Sequence, residues 1–423
     1  MTILLTLVVL SVLILIHEAG HFLAARALGI RVLTFSLGFG PQLAGWTWKG
    51  TRFVLSAIPF GGYVRMKGDD PEHLQHEPDE FLSRPVHHRF LVVVAGPLAN
   101  LLLGFVLFAF VYTSHGISTI PGTTVYQVEP HTPADSAGLR PFDRILAVDD
   151  HPVENWWDLD ALLGRPGPHR LQILRDTDTL VLTFRTPPAG AYGIVPLVPP
   201  EIARVVPGSA AEQAGLHPGD RILRIDTLQV HAWDDLVQII SHRPGDTLTL
   251  WILRGSDTFR LRVAVAAVVA AEGDTVGRIG ILAPTERVRL TPGRALGLAA
   301  RKTCESVALT YEVLFHLLTG RASVKTIGGP VMIGKLVGES ASMGWVQVLI
   351  LMALISVNLG VINLLPIPAL DGGHLTVYLV EVILRRPLPP RVQTRIQQVG
   401  FALLLLLMAF ITLLDLMRLF GGG

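Results

Sequence analysis

Four stretches of this chain run long without a charged side chain, and each reads as a helix able to cross a bilayer. The first spans about Thr2 to Leu28 and is uncharged as far as Ile16. The second, Phe90 to Tyr112, is the clearest. The third runs uncharged from Ala341 to Leu370. The fourth, Val399 to Leu414, is short and must borrow from Ile396 or Leu416 to cross. Between the first two spans, residues 32–66 read as β-rich: Trp46-Thr-Trp48, a turn at Lys49-Gly50, then Thr51 to Leu55. Residues 294–318 place Leu296, Ala300, Cys304, Val307, Tyr311, Leu314 and Leu318 on one helical face. Arg294, Arg301, Lys302, Glu305 and Glu312 lie elsewhere on the wheel, so an amphipathic helix on the membrane surface is expected.

Between the second and third spans the pattern changes to short β-rich runs and short helices, and it repeats. Pro130-His-Thr-Pro-Ala-Asp-Ser-Ala-Gly-Leu-Arg-Pro-Phe-Asp-Arg-Ile-Leu returns as Pro207-Gly-Ser-Ala-Ala-Glu-Gln-Ala-Gly-Leu-His-Pro-Gly-Asp-Arg-Ile-Leu. Trp156 and Trp233 keep the same offset. The period is too long for a solenoid, so two copies of one small globular domain are expected. Each has a helix, 134–137 or 211–214, stopped by Gly138 or Gly215 as a C-terminal cap.

The order along the chain is then a first span at 1–28, a cytoplasmic β-loop and connection at 29–89, and a second span at 90–113. Globular units follow at 114–190 and 191–285, with an amphipathic helix and linker at 286–340. A third span at 341–372, a cytoplasmic loop at 373–395 and a fourth span at 396–418 complete it. Arg31, Lys49, Arg52, Arg65, Lys67, Arg84 and Arg89 crowd the 29–89 connection, and Arg385, Arg386, Arg391 and Arg395 the late one. Both connections are therefore expected on the cytoplasmic side, with the repeated units exported.

Composition agrees with a membrane chain: half of the 423 residues are apolar and 16% are charged. A net charge of +1 gives no sign of a nucleic-acid partner. The single cysteine, Cys304, excludes an internal disulfide. No cleavable signal peptide is expected, because the first apolar run lacks a basic start and a small-residue cleavage site.

The chemistry begins at His17-Glu-Ala-Gly-His21, inside the first span. Ionisable groups at that depth cost roughly 2.5–3.5 kcal/mol each, so they ask for a function. On a helix His17 and His21 share a face, the spacing that clamps one Zn²⁺, and Glu18 beside them can take a proton from a metal-bound water. A hydrolytic zinc wants a third protein ligand. The candidate is Asp371, the first charge after the long third run, in Asn363-Leu-Leu-Pro366-Ile-Pro368-Ala-Leu-Asp371-Gly372. Pro366 and Pro368 break the helix there and free backbone carbonyls, tolerable at membrane depth only beside a polar cavity or in packed protein. His374 is a lesser alternative ligand. The clustered histidines of 69–89, among them His73, His76, His87 and His88, read as a solvated loop.

HExxH in a first span, N-x-x-P-x-P-x-L-D-G in a late one and tandem repeats between them together resemble the site-2 protease family, in its bacterial RseP-type branch. Gly96-Pro97-Leu-Ala-Asn100 and Gly328-Gly329-Pro330-Val-Met-Ile are similar to family motifs, and the repeats resemble bacterial PDZ domains. The fold implied is an α-helical polytopic membrane protein. It has four transmembrane helices, a membrane-associated β-hairpin and two exported PDZ-like α+β domains. The resemblance implies zinc held by His17, His21 and Asp371, with Glu18 as general base. It implies an intramembrane endopeptidase that cleaves single-pass membrane segments after their exterior domain is shed: anti-sigma factors and signal-peptide remnants, in an envelope stress response. It implies a bacterial inner membrane, periplasmic PDZ domains that contact exported peptide ends, and an active site towards the cytoplasm.

A helical substrate must unwind before it can be cut, and its freed N–H and C=O groups then need partners. The β-loop resembles the family's strand-pairing element, with Gly61, Gly62 and Tyr63 as its expected contacts. Asn363, Pro366 and Pro368 are the expected contacts from the late motif. The two PDZ-type carboxylate turns would be Tyr192-Gly193-Ile194 and Arg278-Ile279-Gly280-Ile281. A non-catalytic PDZ membrane scaffold is the rival reading, and a transporter is disfavoured because no inverted repeat is visible.

Overall fold

A computed structural model of the chain describes residues 2–70, 74–187, 192–269, 275–321, 329–386 and 388–420. It divides into two compact units, one of residues 1–114 with 290–423 and the other of residues 115–289. Four of its helices are long and apolar enough to cross a membrane: Thr2–Ala27, Val86–Ser114, Trp345–Asn363 and the Arg391–Asp415 part of a longer helix.

Helix α1, Thr2–Ala27, buries Thr6, Val9, Leu13, His17, His21 and Ala25. This is one stripe at helical spacing, so the face that packs inward is the face that presents both histidines. After it come β1 (Val32–Trp48) and β2 (Thr51–Met66), antiparallel about a turn at Lys49 and Gly50, both at positive φ. Bulges fold this ribbon back on itself, so that Thr34–Leu37 faces both Arg52–Leu55 and Gly62–Arg65. Helix α2, Val86–Ser114, carries Pro97 internally and buries Val93, Gly96, Asn100, Gly104 and Phe108. Small residues set the crossings: a Cβ on Gly20 would overlap the Ala95 carbonyl of α2.

The second unit contains the repeat. In the first copy α3 (Pro133–Ser136) and α4 (Trp156–Leu163) pack with a four-stranded sheet ordered His151–Pro152, Arg144–Val148, Gly167–Arg175, Asp178–Thr186. In the second, α5 (Ala210–Gln213) and α6 (Trp233–Ser241) pack with Leu228–Gln229, Arg221–Ile225, Thr247–Arg254 and Asp257–Ala264 in the same order. Gly138 and Gly215 sit at positive φ just beyond α3 and α5. Each copy has its own core, around Ile145, Leu159 and Phe184 in one and Ile222, Leu236 and Leu250 in the other. The boundary between copies lies later than the sequence pattern indicates: Ile194–Pro196 pairs with Val125–Val128, so Tyr192-Gly193-Ile194 closes the first copy. The second copy closes likewise, Ile281–Leu282 on Arg204–Val205. Ile117–Thr119 pairs with Glu286–Val288, which brings the two ends of the unit side by side.

A repeated ion pair ties each copy. Asp220 is fully buried, bonds Arg254 at 2.6 and 2.8 Å and accepts the His217 N–H; Asp143 does the same with Arg175 and the Arg140 N–H. Burial pushes the Asp220 carboxyl up, but the Arg254 guanidinium and the His217 amide outweigh it and hold it below its ordinary value. A carboxylate depressed in the folded state contributes stability that is whole above its unfolded pKa of about 3.9 and fades as pH falls through the lower folded value. Asp220→Ala should therefore cost this copy about 3 kcal/mol at neutral pH and a shrinking amount below pH ~4. Faster hydrogen exchange at Ile222 and Ile225 in the full chain is the readout, and unchanged exchange would contradict it.

Helices α7 (Pro292–Leu318), α8 (Pro330–Met343), α9 (Trp345–Asn363), α10 (Asp371–Leu384) and α11 (Pro390–Phe420) complete the first unit. Two expectations need correction here. The long apolar run is divided: 341–343 end α8, and the third span is only Trp345–Asn363. Asp371 opens α10, so most of the expected 373–395 loop is helical. Helix α7 packs within the unit through small residues. Ala295, Ala299 and Ser306 are buried, Ala299 against Phe108, Ala353 and Val357 of α2 and α9, while Leu296, Cys304 and Tyr311 are exposed. Thr310 donates to Asn358 of α9 from the same side.

Candidate metal centre and the groups around it

Three side chains from the two ends of the chain meet. His17 Nε2 lies 3.1 Å from Asp371 Oδ2, His21 Nε2 lies 3.4 Å from Asp371 Oδ1, and the two Nε2 atoms are 3.2 Å apart. Among the described residues these three form the group able to hold a metal ion. A tetrahedral zinc with bonds of about 2.0–2.1 Å spaces its ligand atoms by roughly 3.3 Å, so the donor set and its size both fit that ion. The side chains of His17 and His21 are each 11% exposed and that of Asp371 18%, so the group is largely but not wholly shielded. His374 lies outside the group, its ring facing Tyr378.

Local sequence explains how each member gets there. The inward stripe of α1 supplies the histidines. The turn after Asn363 supplies the carboxylate: a Cβ on Gly372 would overlap the Leu364 and Leu365 carbonyls, and one on Gly373 the Ile367 carbonyl. Ala369 takes φ +75, a strained value for a residue with a side chain. That tight reversal aims the first residue of α10 back at α1. The lower end of α10 is tied by a buried pair, Arg89 of α2 to Glu381 at 3.0 Å, with Arg89 also over the Tyr378 ring.

Helix α2 runs antiparallel along this face and serves it at one-turn intervals. Val92 O accepts from His21 Nδ1 at 2.8 Å, the missing side chain of Gly96 makes room for the His21 ring, and Asn100 reaches His17 Nδ1 at 3.2 Å. None of these contacts is visible in the sequence, although an amide inside an uncharged span is itself a signal.

Glu18 lies beside the triangle, next to the ribbon: a Cβ on Gly62 would approach Glu18 Cγ to 3.0 Å. Gly62 and Tyr63 pair with Leu37 and Ser36. Among the described residues no strand pairs with the opposite edge of this segment. Gly61, at φ +109, leaves the space filled by the Phe39 ring, which stacks on Tyr63 at 6.1 Å. Asn363 also arrives, its Nδ2 3.5 Å from both ring nitrogens of His17. Of the two prolines expected beside it, Pro366 is exposed, and Pro368 packs into the space left by Gly400 of α11. The histidine-rich connection is ordered by buried Glu80, which accepts from the Gln75 and Glu77 amides and Ser83; His73 and Gly328 lie outside the described residues.

Residues 5–407 match peptidase family M50. The chain belongs to that family. Among its relatives, one from Ralstonia nicotianae named as a zinc metalloprotease is 36% identical over 459 residues, covering 99% of each chain. The regulator of sigma-E protease RseP of Escherichia coli is 34% identical over 456 residues, covering 98% of each. The regulator of sigma E protease of Haemophilus influenzae is 34% identical over 449 residues, again with 98% of each covered. A PDZ domain of an SdrC-like protein from Listeria monocytogenes overlaps 21% of this chain and 90% of its own, at 22% identity and a TM-score of 0.18. Membership of M50, the site-2 proteases, makes this chain a membrane-embedded zinc metalloprotease.

Proposed function

We propose that this M50 protease cleaves transmembrane segments of single-pass membrane proteins, with His17, His21 and Asp371 as zinc ligands and Glu18 as general base. The observation that carries the reading is the meeting of those three ligands beside Glu18, at the edge of a strand with no partner among the described residues. Zinc in such a site supplies Lewis acidity. The protein supplies the rest. The open edge at Gly62 and Tyr63 offers N–H and C=O groups to a substrate drawn out of its helix, which offsets the several kcal/mol of freed backbone in lipid. Asn363 extends an amide towards the same place. Glu18 removes the proton of the attacking water and returns it to the departing amine.

The names of the relatives support substrates that control a sigma factor, so an anti-sigma factor already shed of its exterior domain is the proposed class, with signal-peptide remnants beside it. The arginine-rich connections support a cytoplasmic side for the β ribbon and the active site. They support a periplasmic side for the repeated unit, in an inner bacterial membrane. The repeated unit is then proposed to meet exported peptide ends at Gly193 and Gly280. Each of these glycines turns at positive φ against a short helix whose N–H takes the preceding carbonyl, Ala134 to Tyr192 and Ala211 to Ile279. A purely structural scaffold gives no reason for four ionisable side chains assembled in lipid.

Metal content tests the ligand set. Purified wild type should carry about one zinc per chain, and Asp371→Asn should lose it under the same chelator challenge. A wild type that binds no zinc would sink the reading.

A further inference from the structure

The two histidines are not held alike. His21 Nδ1 faces the Val92 carbonyl at 2.8 Å, and a carbonyl only accepts, so the proton sits on Nδ1 and Nε2 is left with its lone pair towards the candidate metal position. His17 Nδ1 faces the side-chain amide of Asn100 at 3.2 Å, and an amide presents either a donor or an acceptor. Asn100 is fully buried, and its side-chain oxygen has no hydrogen-bond partner in the orientation where its NH₂ faces His17. In that orientation Nδ1 accepts, so Nε2 must carry the proton and donate it to Asp371 at 3.1 Å. Such a ring cannot bind a metal through Nε2. With the amide turned by half a revolution, the carbonyl oxygen accepts from Nδ1–H and Nε2 is freed. Asn363 does not settle the tautomer, since its Nδ2 is 3.5 Å from both ring nitrogens and aligned with neither.

We propose that Asn100 is a positioning residue for the metal centre. Its side-chain oxygen faces His17 Nδ1–H and so fixes His17 as an Nε2 ligand. The inference rests on the ligand set proposed above. It makes α2 the common support of both histidines, a backbone carbonyl for one and a side-chain carbonyl for the other, two turns apart on one face. The Asn100 main chain is separately anchored, its carbonyl accepting from Ser356 at 2.7 Å, so a side-chain change there leaves that bond in place.

Zinc competition against a chromophoric chelator tests this on the purified full-length chain in detergent, with zinc ion as the probe. Asn100→Leu keeps the branching and removes the acceptor; it should weaken zinc about 10–100-fold. Asn100→Asp keeps the acceptor and the shape and should hold zinc at least as tightly as wild type. If Asn100→Leu does not fold, Asn100→Asp decides: loss of zinc there overturns the proposal. Leu and Asn chains of equal zinc affinity also overturn it. Should Asp371→Asn lose zinc while Asn100→Leu keeps it, only the role of Asn100 falls; should Asp371→Asn keep it, the ligand set falls instead.

Discussion

Glu18→Gln should leave zinc in place and reduce cleavage of a membrane-embedded substrate by about 10²–10⁴-fold, the usual contribution of a positioned general base. The substitution keeps size and hydrogen-bonding reach and removes only the basic lone pair. Glu18 is not among the three groups spaced to hold the ion, so the metal site should be indifferent to it. The Gly62 backbone passes against Glu18 Cγ, so a peptide added to that edge would run beside this carboxylate. The measurement is paired: metal stoichiometry and single-turnover cleavage in the same detergent preparation. Loss of both together would make Glu18 a structural or ligand residue, and normal turnover would show the base to be another group.

The parts of this protein legible in its sequence are those where solvent contrast is strong. Charge-free runs announce the spans, and ionisable residues within them announce the centre. What the pattern misreads follows from the same physics. Hydrophobic periodicity assumes that large apolar residues turn away from solvent, but in a bilayer they turn towards it, and close packing falls to small residues. Hence α7 buries Ala295 and Ala299 within the unit and leaves Leu296 and Tyr311 outward. Helix α10 was hidden because the arginines at 385 and 386 mark its end, and a loop is the simpler inference from them. The domain boundary at 190 failed because Ile194–Pro196 pairs with a strand nearly seventy positions earlier, a contact too distant for local pattern to show. At the centre, residue types and spacing pointed to His17, Glu18, His21 and Asp371. Their supports on α2 are one carbonyl, one missing side chain and one amide, and of these only the amide leaves a mark in composition.

Gly96→Ala is the harsher test of that support. A methyl group at this position would overlap the Nε2, Cε1 and Cδ2 atoms of His21, whose ring is held from behind by Val92 O. Either α1 and α2 separate, or the ring leaves its place. Overpacking of this kind costs about 1–3 kcal/mol in stability, but the larger effect should fall on function, since a displacement of roughly 1 Å at a reacting centre can cost about 10²-fold in rate. Gly104→Ala is the matched comparison. It lies on the same face of α2 two turns further along, and its added methyl would crowd Val357 of α9, far from the histidines along the helix. Both variants should melt at lower temperature than wild type, and only Gly96→Ala should also lose zinc and cleavage. If the two variants lose zinc equally, crowding acts through the bundle as a whole. If neither does, His21 has more freedom than its contacts indicate, and the rigid mounting of the centre on α2 is wrong.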